Sequence, residues 1–230
     1  MASLTDRILS RIELVKDDPK RVAKLEGKLT KMGVTRLTPH SWIRFRPNAI
    51  ECTEEQFDEF WNLCPTERHE IKMFGKLVPI PRFQKLYGEA SYNFSGVEMQ
   101  PDPEIPDLVQ RCIDYAREHW VETIDGTELE WNGALVNWYP DGSSYIGAHS
   151  DDERDLVPGV PILSFSFGGV RTFRIKAKNK NSAVPMKDFR TENCSLIEMG
   201  GAMQQEYKHE ITKTAKHVEP RINITIRCFN

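Results

Sequence analysis

Hydrophobic positions recur along this chain with two different periods, and the change falls near residue 130. Before it the spacing is three and four residues. Leu4, Ile8, Ile12 and Val15 predict an amphipathic helix that ends before Asp17-Asp18-Pro19. Thr53 and Gln56 stand at capping-box spacing, acids crowd the turn that follows, and Phe57, Phe60 and Trp61 supply an apolar stripe as far as Pro65, which predicts a second helix. A third is predicted from Pro106 to Glu122, with Leu108, Cys112, Ile113, Ala116 and Trp120 along one side.

Beyond residue 130 the period drops to two. Leu135, Asn137 and Tyr139 alternate with Val136 and Trp138; Leu163, Phe165 and Phe167 with Ser164 and Ser166; Ile222, Ile224 and Ile226 with Asn223, Thr225 and Arg227. These segments predict strands with one dry face. Turn signals at Pro140-Asp141-Gly142, Gly168-Gly169 and Gly200-Gly201 separate them, so the C-terminal half reads as a β-sandwich or barrel. With no internal repeat and no low-complexity linker, the economical organisation is one β domain carrying a helical N-terminal elaboration.

At 230 residues, with 39% hydrophobic and 28% charged residues, the chain is long enough to bury a core and too apolar to be disordered. Five cysteines, odd in number and without a C-x-x-C, suggest neither a disulfide framework nor a zinc knuckle, and point to a reducing compartment. The first residues are charged every few positions, unlike a secretory signal, and no stretch reaches the ~18 apolar residues of a membrane span. An intracellular protein without a membrane partner is expected. The net charge of −3 excludes bulk attraction to nucleic acid. It hides segregation, however: residues 1–50 hold eleven Lys and Arg against five acids, and 171–190 hold seven against Asp188 alone.

The richest segment runs from Asn137-Trp-Tyr139 to His149-Ser-Asp151. Residues two apart on an extended strand share a face, so His149 and Asp151 can ligate one ion. A second histidine would complete the two-His-one-carboxylate triad of non-haem Fe(II) oxygenases. His209, in a segment able to alternate like a strand, is a candidate, and His217 competes with it. Arg221 and Arg227 lie an even six residues apart, on one face with Asn223 and Thr225. Two guanidinium groups on an interior face demand an anion. A dicarboxylate meets that demand by bidentate charge-assisted bonds, and 2-oxoglutarate adds a 2-oxo acid able to chelate Fe(II).

With these motifs assembled, the chain resembles the AlkB family of Fe(II)/2-oxoglutarate dioxygenases, and in particular its eukaryotic nuclear DNA-repair branch. The resemblance runs from about Phe74 to Phe229, through Phe-Gly-Lys, Pro-Arg-Phe-Gln, Tyr-Gly-Glu-Ala, Tyr-Asn-Phe-Ser-Gly, Asn-Trp-Tyr, His-Ser-Asp-Asp-Glu, Ser-Phe-Gly and Arg-Ile-Asn-Ile-Thr-Ile-Arg. It implies an α+β, mainly β fold, with a nucleotide-recognition lid and supporting helix over 71–130 and a double-stranded β-helix (jelly roll) over 131–230; residues 1–70 lie outside the resemblance and are expected, from their helical spacing, to form a helical extension packed on that core. It implies that His149, Asp151 and His209 hold iron, His209 being preferred to His217 because the family sets that histidine about a dozen residues before the first arginine. Asn137, Tyr139, Arg221, Asn223, Thr225 and Arg227 are implied to surround 2-oxoglutarate. Dioxygen is the oxidant and ascorbate a candidate reductant. His40, His69 and His119 are expected to be ordinary surface or packing residues.

The same resemblance implies the substrate: an alkyl group on a base nitrogen, such as N1 of adenine or N3 of cytosine. Hydroxylation gives a hemiaminal that loses formaldehyde, with succinate and carbon dioxide as coproducts. The lesion lies on the pairing edge, so in duplex the base must be flipped. Phe74, Gly75 and Lys76 resemble a wedge that fills the gap, Tyr92, Asn93 and Phe94 the lid over the flipped base, and Asp152 and Glu153 acids that face a cationic lesion. The cations of 171–190 correspond to a DNA-gripping loop, and Lys213 and Lys216 to a basic run that is interrupted here. Single-stranded and duplex DNA both stay open as partners of a monomeric enzyme, in nucleus or cytoplasm, with the nucleus favoured by the resemblance. An RNA demethylase of the same chemistry and a non-catalytic nucleic-acid-binding module are the alternatives.

Overall fold

The computed structural model describes residues 4–73, 75–90, 92–94, 97–121 and 128–230, with backbone alone at 72, 73, 92–94, 97 and 98. The N-terminal half contains helices α1 (Leu4–Leu14) and α2 (Pro19–Lys31), strands β1 (Val34–Arg36) and β2 (Ser41–Arg46), and helix α3 (Glu54–Trp61). Five strands follow: β3 (Glu70–Met73), β4 (Lys76–Pro79), β5 (Phe83–Gly88), β6 (Tyr92–Phe94) and β7 (Val97–Met99). Helix α4 (Asp107–His119) leads into β8 (Gly133–Tyr139), β9 (Ile146–His149), β10 (Ile162–Gly168), β11 (Arg171–Ala177), β12 (Met186–Thr191) and β13 (Ser195–Gly201). A single turn, α5 (Met203–Glu206), precedes β14 (Tyr207–Ile211) and β15 (Arg221–Arg227).

Two sheets face each other, one of seven strands in the order β1-β2-β13-β10-β15-β8-β5 and one of four in the order β12-β11-β14-β9. From β8 onward the chain crosses repeatedly between them: β8, β10, β13 and β15 lie in the large sheet, β9, β11, β12 and β14 in the small one. Two antiparallel four-strand sets wound in this way form the double-stranded β-helix expected from the sequence.

The alternating strands are buried on both faces rather than one. Every residue of β8 and β15 is buried. The apolar set, including Val136, Trp138, Leu163, Phe165, Ile222, Ile224 and Ile226, packs with side chains of α1, α3 and α4 in one core. The polar set faces the small sheet. Each large apolar side chain in that core contributes about 1.5–3 kcal/mol, and their strict alternation fixes the register that presents the polar set inward.

Helix α3 opens with the reciprocal capping box read from the sequence: Thr53 Oγ1 accepts from the Gln56 amide and Gln56 Oε1 from the Thr53 amide. The first 70 residues depart from a purely helical extension. Helix α2 follows α1, its first turn capped by Asp18 with Pro19 in the first position, and β1 and β2 extend the large sheet by pairing β2 with β13. Trp42 on β2 closes that joint. A Cβ on Gly200 would lie 2.1 Å from its ring, so only glycine fits opposite it. Two hairpins, β3–β4 and β6–β7, stand apart from both sheets.

Candidate active site

Strands β9 and β14 pair antiparallel with His149 directly opposite His209, and a register shift follows between His209 and Ile211. Asp151 lies two residues beyond His149. Metal-capable atoms of these three side chains lie within 4.8 Å of one another, the only such His/Cys/Asp/Glu group among the described residues. Asp151 Oδ1 stands 3.4 Å from His149 Nε2 and 3.9 Å from His209 Nε2. Its environment is closed, and it makes no hydrogen bond. A separation of 3.4 Å is long for a charge-assisted hydrogen bond, so these are donor atoms spaced around a common centre.

Each of the three is held in place by the fold. The Nδ1–H of His149 donates to the Gly147 carbonyl at 2.9 Å, which leaves Nε2 as the lone-pair nitrogen facing Asp151. The His209 ring stacks on Phe173 with centroids 5.3 Å apart. Asp151 accepts from Arg227 Nη2 through Oδ2 at 2.8 Å, and its amide donates to Gln204 Oε1 at 3.0 Å. Burial alone would raise the Asp151 carboxyl, but Arg227, His149 and His209 outweigh it and hold the group well below the carboxylate range. Burial, reinforced by His149, pushes His209 down to about 3. A neutral imidazole and an ionised carboxylate are the forms a divalent cation requires. Two imidazoles and one carboxylate suit Fe(II), and the orphaned Oδ1 of Asp151 is the atom a metal would satisfy.

A narrow cleft of about 40 Å³ extends from this triad between the sheets, and Asn137, Tyr139, Arg221, Asn223, Thr225 and Arg227 all line it. Cross-strand register assembles them: Tyr139 stands opposite Arg221, and Asn137 opposite Asn223. Arg221 is the most informative. Its side chain is 1% exposed, Nη2 donates to Ser166 Oγ at 2.8 Å, and Nε and Nη1 have no hydrogen-bond partner. No carboxylate pairs with it among the described residues, and burial depresses its pKa to about 10. Such a group is costly until an anion arrives. Arg227, which also lines the cleft, is already paired with Asp151.

Several members of the pocket escaped the sequence reading. Arg82 Nε and Gln84 Nε2 both donate to Asn137 Oδ1, at 2.8 and 2.9 Å, which turns the Asn137 amide nitrogen away from them. Their two-residue spacing before and within β5 was the available signal. Asn223 Nδ2 donates to Ser164 Oγ and the Phe165 carbonyl, while its Oδ1 accepts from Thr225 Oγ1. Of Ser164 and Ser166, noted only as polar alternates, Ser164 lines the cleft and Ser166 accepts from Arg221.

The remaining sequence candidates separate. His217 is 89% exposed, contacts Glu219 and does not join the metal-capable group. His40 and His119 are exposed and His69 is half-buried, and none joins the metal-capable group. Asp152 and Glu153 line a neighbouring cleft that shares Asp151 and Met199 with the first. Phe74 lies outside the described residues. Gly75, with φ +81°, makes the turn of the β3–β4 hairpin, and Lys76, Leu77 and Val78 are exposed on β4. Tyr92, Asn93 and Phe94 form β6, and their side chains lie outside the described residues. The cations of 171–190 are fewer on the surface than the sequence suggests. Arg171 is buried, Arg174 is bidentate to Asp188 and Lys176 pairs with Glu210, leaving Lys178, Lys180, Lys187 and Arg190 facing solvent.

No helix among the described residues is long and apolar enough to cross a membrane, and all five cysteines are free thiols. A sequence profile of the 2OG-Fe(II) oxygenase superfamily matches residues 49–227. The chain is 31% identical over 207 residues to the DNA oxidative demethylase ALKBH2 of Homo sapiens, covering 81% of this chain and 76% of that one. It is 29% identical over 163 residues to the alpha-ketoglutarate-dependent dioxygenase alkB homolog 3 of Mus musculus, covering 65% of this chain and 52% of that one. Among solved structures, OsALKBH1 superposes with a TM-score of 0.53 at 18% identity, over 80% of this chain and 97% of that one, a likeness of fold. On the profile match and the ALKBH2 similarity, the chain belongs to the AlkB family within the 2OG-Fe(II) oxygenase superfamily.

Proposed function

We propose that the chain removes alkyl groups oxidatively from base nitrogens of DNA, of the 1-methyladenine and 3-methylcytosine type. The observation that carries this reading is the pairing, in one cleft, of an orphaned buried carboxylate oxygen between two imidazoles with a buried arginine that has no acid partner. The similarity to proteins named DNA oxidative demethylase supplies the substrate class.

Enzymes of this superfamily use Fe(II), 2-oxoglutarate and dioxygen, which together supply the power to hydroxylate an alkyl C–H bond while 2-oxoglutarate becomes succinate and carbon dioxide. His149, Asp151 and His209 are the residues that would hold the iron. Arg221 would take the distal carboxylate of 2-oxoglutarate through its free Nε and Nη1, with Tyr139 against it. Asn137 and Thr225 would bound its sides, and Asn223 would orient Thr225. Arg227 donates to Asp151 Oδ2 and helps keep the carboxylate ionised, which would leave Oδ1 for the metal.

Substrate capture falls to the two hairpins. Leu77 and Val78 are 67% and 39% exposed on a hairpin that stands off the sheets, and in sequence Phe74 falls between its two strands. Apolar groups presented this way suit a wedge entering the space of a flipped base. Asp152 and Glu153, beside Asp151, suit a positively charged lesion. Nuclear DNA is the setting this substrate implies, with the chain acting as a monomer. Repair of 1-methyladenine compared in single-stranded DNA, duplex DNA and RNA tests the reading, with Phe74→Ala alongside. DNA should be the better substrate, and the substitution should impair duplex repair more than single-strand repair. Preference for RNA would favour the RNA demethylase alternative, and equal loss on both DNA forms would remove the wedge.

A further inference from the structure

Arg171 is a second buried guanidinium beside the cleft, and its own hydrogen bonds do not account for its charge. It is 3% exposed. Nη1 donates to the Asp141 carbonyl at 3.1 Å, and Nη2 to the carbonyls of Ser144 and Thr212 at 2.7 and 2.8 Å. Three neutral acceptors are bound, but no carboxylate pairs with it among the described residues. The nearby Asp141 carboxylate is turned to Ser143, accepting from its amide and hydroxyl. The Arg171 guanidinium lies 5.8 Å from the centroid of the Tyr139 ring, and that of Arg221 lies 5.0 Å from the same ring. Two buried cations therefore lie close to one phenol that lines the cleft. Because Arg171 does not line the cleft, it acts through its neighbours.

We propose that Arg171 is a positioning and specificity-determining residue for the cosubstrate: it holds Tyr139 and the β8–β9 turn, and its charge biases the pocket toward a 2-oxo acid with a second, distal carboxylate. The proposal rests on reading the Arg221 cleft as the cosubstrate site. A staple alone could be built from a neutral side chain, since the three bonded partners are backbone carbonyls. A cation kept dry at this place gains its value when a carboxylate binds to Arg221 next door, because the same low dielectric that makes burial costly strengthens that attraction.

Binding to the full chain loaded with Mn(II) in place of iron separates charge from geometry without turnover. The two probes, measured by calorimetry, are 2-oxoglutarate and 2-oxopentanoate, which has the same 2-oxo acid head and no distal carboxylate. Arg171→Gln keeps donors for the carbonyls and removes the charge; Arg171→Lys keeps the charge with fewer donors. At the intermediate effective dielectric of a partly enclosed site, Arg171→Gln should weaken 2-oxoglutarate on the order of ten-fold or more and leave 2-oxopentanoate nearly unchanged. Arg171→Lys should keep the wild-type preference for the dicarboxylate, even if its melting temperature falls. Equal weakening of both probes, or an unchanged preference in Arg171→Gln, would overturn the proposal and leave Arg171 a staple. Wild-type protein that bound neither probe would overturn the cosubstrate reading itself, and the proposal with it.

Discussion

Arg221 should oppose stability in the protein without cosubstrate while enabling cosubstrate capture, so Arg221→Met is expected to move the two in opposite directions. The guanidinium is fully enclosed, makes one hydrogen bond to Ser166 and has its pKa driven from 12.5 to about 10, chiefly by burial. At 1.36 kcal/mol per pKa unit, that depression corresponds to an unfavourable burial of ~3 kcal/mol. The sign follows from linkage: below pH 10 both folded and unfolded chains carry the proton, so the cost is fully present at neutral pH. It would be relieved only as pH rises from about 10 toward 12.5, where the unfolded chain binds more protons. Methionine fills much of the same volume without charge. Loss of the Ser166 bond returns about 1 kcal/mol of that gain, so Arg221→Met should range from neutral to about 2 kcal/mol more stable. Urea unfolding followed by tryptophan fluorescence, without metal or cosubstrate, reads this. In parallel, 2-oxoglutarate affinity measured by calorimetry should fall at least a hundred-fold, since two charge-assisted bonds of about 1.5–3 kcal/mol each are lost. A variant destabilised by more than 2 kcal/mol with cosubstrate affinity intact would refute the reasoning and make Arg221 a structural residue.

Other expectations follow from the packing. Glu198, 1% exposed, accepts from Arg44 and Arg46, and Arg44 lies 5.7 Å from the ring centres of both Trp42 and Trp120. Glu198→Ala leaves Arg44 buried without its anion and should cost about 3–5 kcal/mol in urea unfolding. Gly200→Ala drives a Cβ into the Trp42 indole, which is itself stacked on Trp120, and should cost roughly 1–3 kcal/mol by thermal or urea unfolding. Thr53→Ala removes one arm of the capping box on α3 and should cost about 1 kcal/mol, with binding of 2-oxoglutarate unchanged.

The parts legible in the sequence are those that a local period encodes. His149 with Asp151, and Arg221 with Asn223, Thr225 and Arg227, share a face because a strand repeats every two residues, and the same rule identified β8, β10 and β15. What escaped depends on partners distant in sequence. Arg227 pairs with Asp151 across 76 positions, and Arg82 and Gln84 reach Asn137 across more than 50. No local pattern encodes those meetings. The basic segment at 171–190 misled because a cation tally ignores where side chains go: Arg171 points inward from β11 and two others are neutralised by acids. Helix α2 was missed because Pro19 reads as a stop for α1, whereas it also suits the first position of a new helix. Strands β1 and β2 were missed because their short segments gain stability by joining β13, far along the chain.

The central claim is that His149, Asp151, His209 and Arg221 form one oxidative dealkylation site acting on DNA. Its most direct test is the yield of formaldehyde and succinate from a 1-methyladenine oligonucleotide with Fe(II), 2-oxoglutarate and dioxygen, run beside Asp151→Ala. The account predicts equimolar formaldehyde and succinate from the wild-type chain and neither above background from the variant. Succinate without lesion-dependent formaldehyde, or equal formaldehyde from Asp151→Ala, would contradict it.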